Sequence, residues 1–335
     1  MKENLRTAEK LVKISISVGV ILVLAAFTLT STGCFEPTMK FVKEFGTEGK
    51  DTNQFNGPTD IVVNSKGEVF ICDTNNNRIV RYDNEGENPK VFGSVILKQP
   101  MGICVDKTDQ VFVADTGNNR VVKFTPDGRF LTEIYSTVKL GQQKEAANSL
   151  KMPYDVAVTS NNTIYIVDVL NRIIVFDSLG VCKNKLGSKG SGSTEFDVPT
   201  RIAVTDDDIY YNIFVADSFN SRIIKFNIEY KSIFETKDKG MFQYLRDPRG
   251  LAVLPDKSII VSDCGSMPLC AYNSQGVFEG SGGSFGLGRG RIISAGGLAV
   301  DVVHKKLFVS DQLQHKVLIF RLHKENIAKV KEEAK

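Results

Sequence analysis

The stretch Pro100-Met-Gly-Ile-Cys-Val105, followed after a short turn by Val111-Phe-Val-Ala-Asp115-Thr-Gly-Asn-Asn-Arg120-Val-Val-Lys-Phe124, decides the fold. It holds three apolar runs of five or six residues, each the length of a strand rather than a helix. The second run ends in Asp, the turn after it carries Asn and Arg, and the third run ends in an aromatic residue. Moving outward, the same order recurs. An earlier copy leads from Pro58 through Asp73 and Arg78 to Tyr82, and a later one from Pro153 through Asp168 and Arg172 to Phe176. Three more follow: Pro199 through Asp217 and Arg222 to Phe226, Pro248 through Asp263 to Tyr272, and Gly297 through Asp311 and Lys316 to Phe320. The six Asp residues are spaced 42, 53, 49, 46 and 48 residues apart. A period near 45 is that of a four-stranded propeller blade.

Each copy supplies three strands, and a fourth apolar segment follows, such as Val91-Phe92 or Phe130 to Tyr135. A second motif precedes two of the blades: Gly46-x-x-Gly49 with Phe55 and Pro58, and Gly187-x-x-Gly190 with Phe196 and Pro199. Together these elements resemble the NHL repeat, over about residues 40–322. The resemblance implies an all-β, six-bladed propeller of four-stranded antiparallel blades. The sixth copy ends at Phe320 without a fourth strand, and its tail, 323–335, reads as a short polar helix. The missing strand is available at the other end, in Lys40-Phe-Val-Lys-Glu-Phe-Gly46. Pairing it with the last blade closes the ring and leaves no open edge.

Upstream lies a targeting segment. Lys2, Arg6, Lys10 and Lys13 precede an uncharged apolar run from Ile14 to Leu29, the layout of an export signal over 1–33. Ser31-Thr-Gly-Cys34 resembles the bacterial lipobox, with Ser31 where Leu is usual, so Cys34 is the candidate for diacylation. An uncleaved anchor with an incidental cysteine is the alternative reading. A short tether, 34–39, would then hold the propeller close to the membrane. By resemblance to Gram-negative sorting rules, Phe35 after the cysteine favours the outer membrane or its periplasmic face; in a single-membrane organism the protein would sit on the cell surface.

Composition narrows the function. The chain has 335 residues, 42 Lys+Arg against 39 Asp+Glu, three His and no Trp. A net charge of +3 lacks the concentrated basic footprint of a nucleic-acid binder, so no nucleic-acid partner is expected. The absent Trp separates this repeat from WD-type propellers. In this architecture the residues after each leading Pro ring the channel mouth. Asp60, Tyr154, Asp155, Arg201 and Arg249 are therefore the candidate ligand-binding residues, as a cation site between the two Asp or an anion site against the two Arg. Self-pairing of the same charges is the competing reading. Propellers of the resembling class include zinc lyases with His ligands and lactonases with calcium. No His follows a leading Pro here, which disfavours zinc, and Asp60 with Asp155 leaves calcium as the one candidate cofactor, although it wants about six oxygen ligands. The repeated Asp and Arg read as framework, the carboxylate taking N–H groups from the Asn-rich turn that follows it. Cys264 and Cys270 flank a turn that lacks the Asn-Arg pair, where either a disulfide or two free thiols fit the spacing. The function expected is an exported, membrane-anchored module that binds or scaffolds a protein partner, with a calcium-type hydrolase or lyase as the alternative. The long inserts Ser136–Met152 and Gly280–Ala295 are where partner specificity is expected.

Overall fold

A computed structural model describes residues 39–134, 149–206, 211–236, 245–265 and 267–322. Residues 1–33 (expected to be an export segment), Cys34, most of the insert after Ser136 and the tail 323–335 lie outside the described residues.

Six four-stranded antiparallel sheets follow one another. Blade two, the copy quoted above, consists of Pro100–Val105, Val111–Asp115, Arg120–Phe124 and Phe130–Ile134. Its second strand is buried at every position, because both of its faces are covered. Val111 and Val113 point into the cluster shared with blade one, and Phe112 and Ala114 into the cluster shared with blade three. The same rule holds around the ring: six apolar clusters, one at each blade-to-blade seam. This double burial is why the second and third strands read as near-continuous apolar runs.

Blade six is completed as the sequence implies. Met39–Phe45 pairs antiparallel with Lys316–Leu322, with Met39 opposite Leu322 and Phe45 opposite Val317. Met39 is buried against Leu269 and Ile292, and Phe41 stacks edge-on with Phe320 at 5.9 Å.

The lead-in motif is a compact loop. Glu48 bridges Phe55 in parallel fashion, as Lys189 bridges Phe196. Gly46 and Gly187 have φ of 91° and 97°, and a Cβ on either would run into the ring of Phe55 or Phe196, so both the conformation and the space demand glycine. A third copy lies within the stretch expected to be an insert. Phe278–Gly282 is the fourth strand of blade five, and Gly283, Gly286, Ile292 and Ala295 repeat the spacing of Gly46, Gly49, Phe55 and Pro58. Ser284–Phe285 pairs in parallel with Arg291–Ile292, the same bridge again. Ile and Ala standing for Phe and Pro hide this copy in the sequence.

Candidate functional site

Every first strand slips register just after its leading residue, for example between Pro58 and Ile61, Pro153 and Asp155, and Pro199 and Arg201. The two residues that follow the slip lie where the inner strands converge: a Cβ on Gly250 would meet Gly296 O, and one on Gly296 would meet Thr59 O. The first set forms the mouth: Thr59, Met101, Tyr154, Thr200, Arg249 and Gly296. The second forms a plug beneath it: Asp60, Gly102, Asp155, Arg201, Gly250 and Gly297. Glycines are needed in the plug because strands converge there; a Cβ on Gly297 would strike Asp60, and one on Gly102 would strike Asp155.

Asp60, Asp155 and Arg201 are all buried. Asp60 Oδ2 accepts the Ile103 N–H at 2.9 Å, and Asp155 accepts Val156 N–H at 2.8 Å and Ile202 N–H at 2.9 Å. Arg201 Nε lies 3.3 Å from Asp60 Oδ1, while its terminal nitrogens donate to Thr59 O at 2.6 Å and Thr200 O at 2.9 Å. The carboxylates thus tie blade one to two and blade three to four, and the guanidinium spans the axis from blade four to blade one. Burial raises Asp60 above the usual carboxylate range, with Arg201 pulling the other way. Asp155 is raised well above it, by burial first and then by the Asp60 charge.

These contacts bear on the candidate ligands. Arg249 does not join Arg201; it turns outward to Asp247, with Nε at 2.9 Å from the carboxylate. The two arginines therefore do not converge on one anion. The pair Asp60 and Asp155 does not fit a hard dication, because its oxygens already receive backbone N–H groups and a guanidinium supplies the positive charge. Among the described residues no group of three or more His, Cys, Asp or Glu gathers to hold a metal ion. Tyr154 is half-buried at the mouth and packs on the seam between blades three and four. Cys264 and Cys270 are not joined: Cys270 is buried in the core and its thiol points to Met267 O at 3.7 Å. The buried Cys72 is an apolar filler, its thiol pushed up by burial and then by Asp60.

The plug makes a specific pH prediction. The folded value of Asp155 lies above its ordinary 3.8, so its contribution to stability is complete below that ordinary value and is lost as pH rises through the raised one. Asp155→Asn leaves one of the two N–H groups without an acceptor, so it is expected to cost about 1–3 kcal/mol of unfolding free energy at pH 5 and less at pH 8, where the parent carries the full penalty of its buried charge. A cost independent of pH would refute the assignment.

The repeated Asp and Arg form a clamp, and in blades three, five and six the carboxylate takes N–H groups of the following turn as expected, from Leu170, Gly265, Leu313 and Gln314; in blade one its target differs. Asp73 Oδ1 accepts the N–H of Asn56, in the lead-in loop 17 residues earlier, at 2.7 Å. Its Oδ2 takes Asn76 Nδ2 at 2.9 Å and Arg78 Nε at 2.7 Å. Arg78 then donates to Lys50 O, Asp51 O and Gln54 O at 2.7–2.9 Å. The clamp therefore fastens each blade to its own lead-in segment, as bonds from the Lys98, Lys151, Asp197, Arg246 and Ile293 N–H groups do in the other five.

Two further brackets cross the seams, and neither was read from the sequence. The hydroxyl after the Asp reaches the leading Pro of the next blade: Thr74 to Pro100 O at 2.7 Å, Thr116 to Pro153 O at 2.6 Å and Ser218 to Pro248 O at 2.6 Å. The left-handed residue closing the polar turn accepts from the residue before that Pro: Asn77 from Gln99 N–H, Asn119 from Met152 N–H and Asn171 from Val198 N–H, at 2.7–2.8 Å. At ring closure His315 takes this place, its Nδ1 accepting Gly57 N–H at 3.0 Å. The signal for both was a Thr or Ser next to, and an Asn three or four residues after, the repeated Asp.

Residues 55–82 and 97–124 match the NHL repeat family, and residues 145–247 match a 6-bladed beta-propeller domain. Protein brain tumor of Drosophila melanogaster is 26% identical over 145 residues, 43% of this chain and 14% of that protein. B-box type zinc finger protein ncl-1 of Caenorhabditis elegans is 33% identical over 138 residues, 41% of this chain and 16% of that protein. The chain thus spans only a small part of the length of these relatives. Among solved structures, a streptogramin B lyase superposes with a TM-score of 0.59 at 14% identity, over 85% of this chain and 98% of its own. A gluconolactonase from Xanthomonas campestris gives 0.59 at 14% identity, over 81% and 87%. At that identity the likeness is one of fold alone. The chain carries NHL repeats and folds as a six-bladed β-propeller.

Proposed function

We propose that the propeller is an exported, membrane-anchored module that binds a protein partner on its mouth face. The observation that carries this is the placement of exposed apolar side chains. Leu170, Phe219 and Leu313 each stand two residues after the repeated Asp, in blades three, four and six, and are 51%, 69% and 66% exposed. Large apolar residues repeated at one position on a rigid rim suit docking better than catalysis. The polar groups of the axis are meanwhile engaged in holding blades together. Cys34 would supply the anchor through an acyl chain.

A photo-reactive amino acid at Phe219 or Leu313 in intact cells is expected to give a discrete protein adduct, and one at Val303 on the opposite face is not. Adducts of equal yield from both faces, or none from either, would sink the docking surface. The lyase and lactonase named among the fold neighbours define the competing outcome: stoichiometric calcium lost on Asp60→Asn. Cys34→Ala should release the protein from the membrane fraction and abolish palmitate labelling.

A further inference from the structure

The loop 283–292 shares its backbone with two others but not their chemistry. In the first two copies one side chain caps the loop from within: Gln54 Oε1 accepts Asp51 N–H at 3.1 Å, and Glu195 Oε2 accepts Gly192 N–H at 2.9 Å. The third copy has Arg291 at that position, which offers no acceptor. Where the others have Glu48 and Lys50, or Lys189 and Ser191, it has Phe285 and Leu287, and where they have Thr52 or Ser193 it has Arg289. Phe285 is 52% and Leu287 75% exposed. Arg289 and Arg291 are exposed, and neither is ion-paired among the described residues.

The base of this loop is firmly held. Gly286 N–H donates to Ile292 O at 2.9 Å, Gly290 N–H to Glu44 Oε2 at 2.9 Å, and Lys316 Nζ to Gly288 O at 3.0 Å. Two apolar tips and two free guanidinium groups thus stand on a stiff support beside the strand Met39–Phe45. That strand is where the described chain begins. Met39 rests against Gly282, the residue before the loop, and the residues ahead of it carry the apolar run Ile14–Leu29 and Cys34. The stretch from Cys34 to Met39 reaches at most about 18 Å, and that from Leu29 at most about 36 Å. A membrane attachment through Cys34 therefore brings a bilayer to this side of blade six. Apolar tips flanked by arginines are the chemistry of an anionic lipid surface, where the apolar groups enter the headgroup boundary and the cations meet phosphates.

We propose that loop 283–292 is a second membrane contact, with Phe285 and Leu287 entering an anionic bilayer and Arg289 and Arg291 pairing with lipid phosphates. The proposal rests on the reading that the chain is membrane-anchored. The test places full-length protein in nanodiscs of phosphatidylcholine, with or without phosphatidylglycerol, and follows hydrogen exchange by mass spectrometry. Incorporation into the zwitterionic discs reports the anchor; the difference between the two discs reports the loop. Exchange over 284–291 is expected to slow at least about fivefold in the anionic discs, and the combined change Leu287→Ser, Arg289→Ser, Arg291→Ser should abolish the slowing without changing Tm. If the protein fails to incorporate, co-sedimentation with phosphatidylglycerol vesicles decides, retention that the triple change abolishes supporting the contact. Equal exchange in both discs, equal retention of the two proteins, or protection that needs an added protein rather than lipid overturns it.

Discussion

A chain beginning at residue 46 is expected not to fold, and moving the lost strand to the other end of the ring is expected to rescue it. Met39–Phe45 supplies the outer strand of blade six, and without it Lys316–Leu322 becomes an open edge. Several terms vanish together. Met39 is 4% exposed, Phe41 stacks on Phe320, and Phe45 lies 4.7 Å from the Tyr82 ring. Glu44 also loses its bonds to Gly290 N–H and Lys316 Nζ, at 2.9 and 3.0 Å. Three large apolar side chains at about 2 kcal/mol each, with ladder bonds at about 1 kcal/mol each, amount to most of the 5–15 kcal/mol that stabilises an ordinary domain. Residues 46–322 expressed alone should be insoluble or lack a cooperative melt. The same segment with residues 39–45 joined after Leu322 through a two-residue Asn-Gly turn should regain one, because the strand then reaches its place opposite Leu322 from the neighbouring chain end. A cooperative melt of residues 46–322 within a few degrees of residues 39–322 would show that the strand does not close the ring.

That closure was legible in the sequence because a strand is a local pattern and a missing strand is a countable absence. The blades were legible for the same reason: Asp, turn and aromatic recur in phase, and double burial makes the runs apolar. The third lead-in loop was not, since the bridge between Ser284–Phe285 and Arg291–Ile292 depends on backbone spacing and volume, which Ile292 satisfies as well as Phe55 does. The site was only half legible. Asp60, Asp155 and Arg201 come together as one buried cluster, while Arg249 stands apart with Asp247. Sequence spacing carries no record of which N–H a carboxylate will receive, so the ties from Asp60 to Ile103 and from Asp155 to Ile202 could not be read. For the same reason Asp73 was assigned to the turn beside it when its strongest backbone partner, Asn56, lies in the loop before the blade.

Asp217→Ala is expected to be among the most damaging single substitutions in the ring, although Asp217 touches no candidate ligand. The carboxylate is fully buried, and it accepts Asp197 N–H at 2.7 Å, Asn220 Nδ2 at 2.8 Å and Arg222 Nε at 2.8 Å. Burial raises Asp217 above the usual carboxylate range, and the bonds from Asn220, Asp197 and Arg222 pull it back. Arg222 itself donates to Ser191 O, Gly192 O and Glu195 O at 2.8–3.0 Å, which fixes the loop leading into blade four. Alanine leaves a buried guanidinium without its nearest anion and a backbone N–H without an acceptor. Losing one partner of a buried pair costs about 3–5 kcal/mol, and at about 2–4 °C per kcal/mol for a large domain the Tm should fall by about 6–20 °C. Asp217→Asn keeps one acceptor oxygen and should cost less. Without Asp217 the guanidinium keeps one anion, Glu235 Oε2 at 3.0 Å, and the combined change Asp217→Ala, Arg222→Leu should recover part of the loss because it removes this under-compensated buried charge. Asp263→Ala makes the informative contrast. Blade five has no arginine in this place, and Asp263 receives only backbone N–H groups, from Arg246, Asp247 and Gly265. Its loss should be smaller, with no gain from a second substitution. If Asp217→Ala melts within about 2 °C of the parent, or if the double change is no better than the single one, the clamp is held by its loop carbonyls and the carboxylate is dispensable.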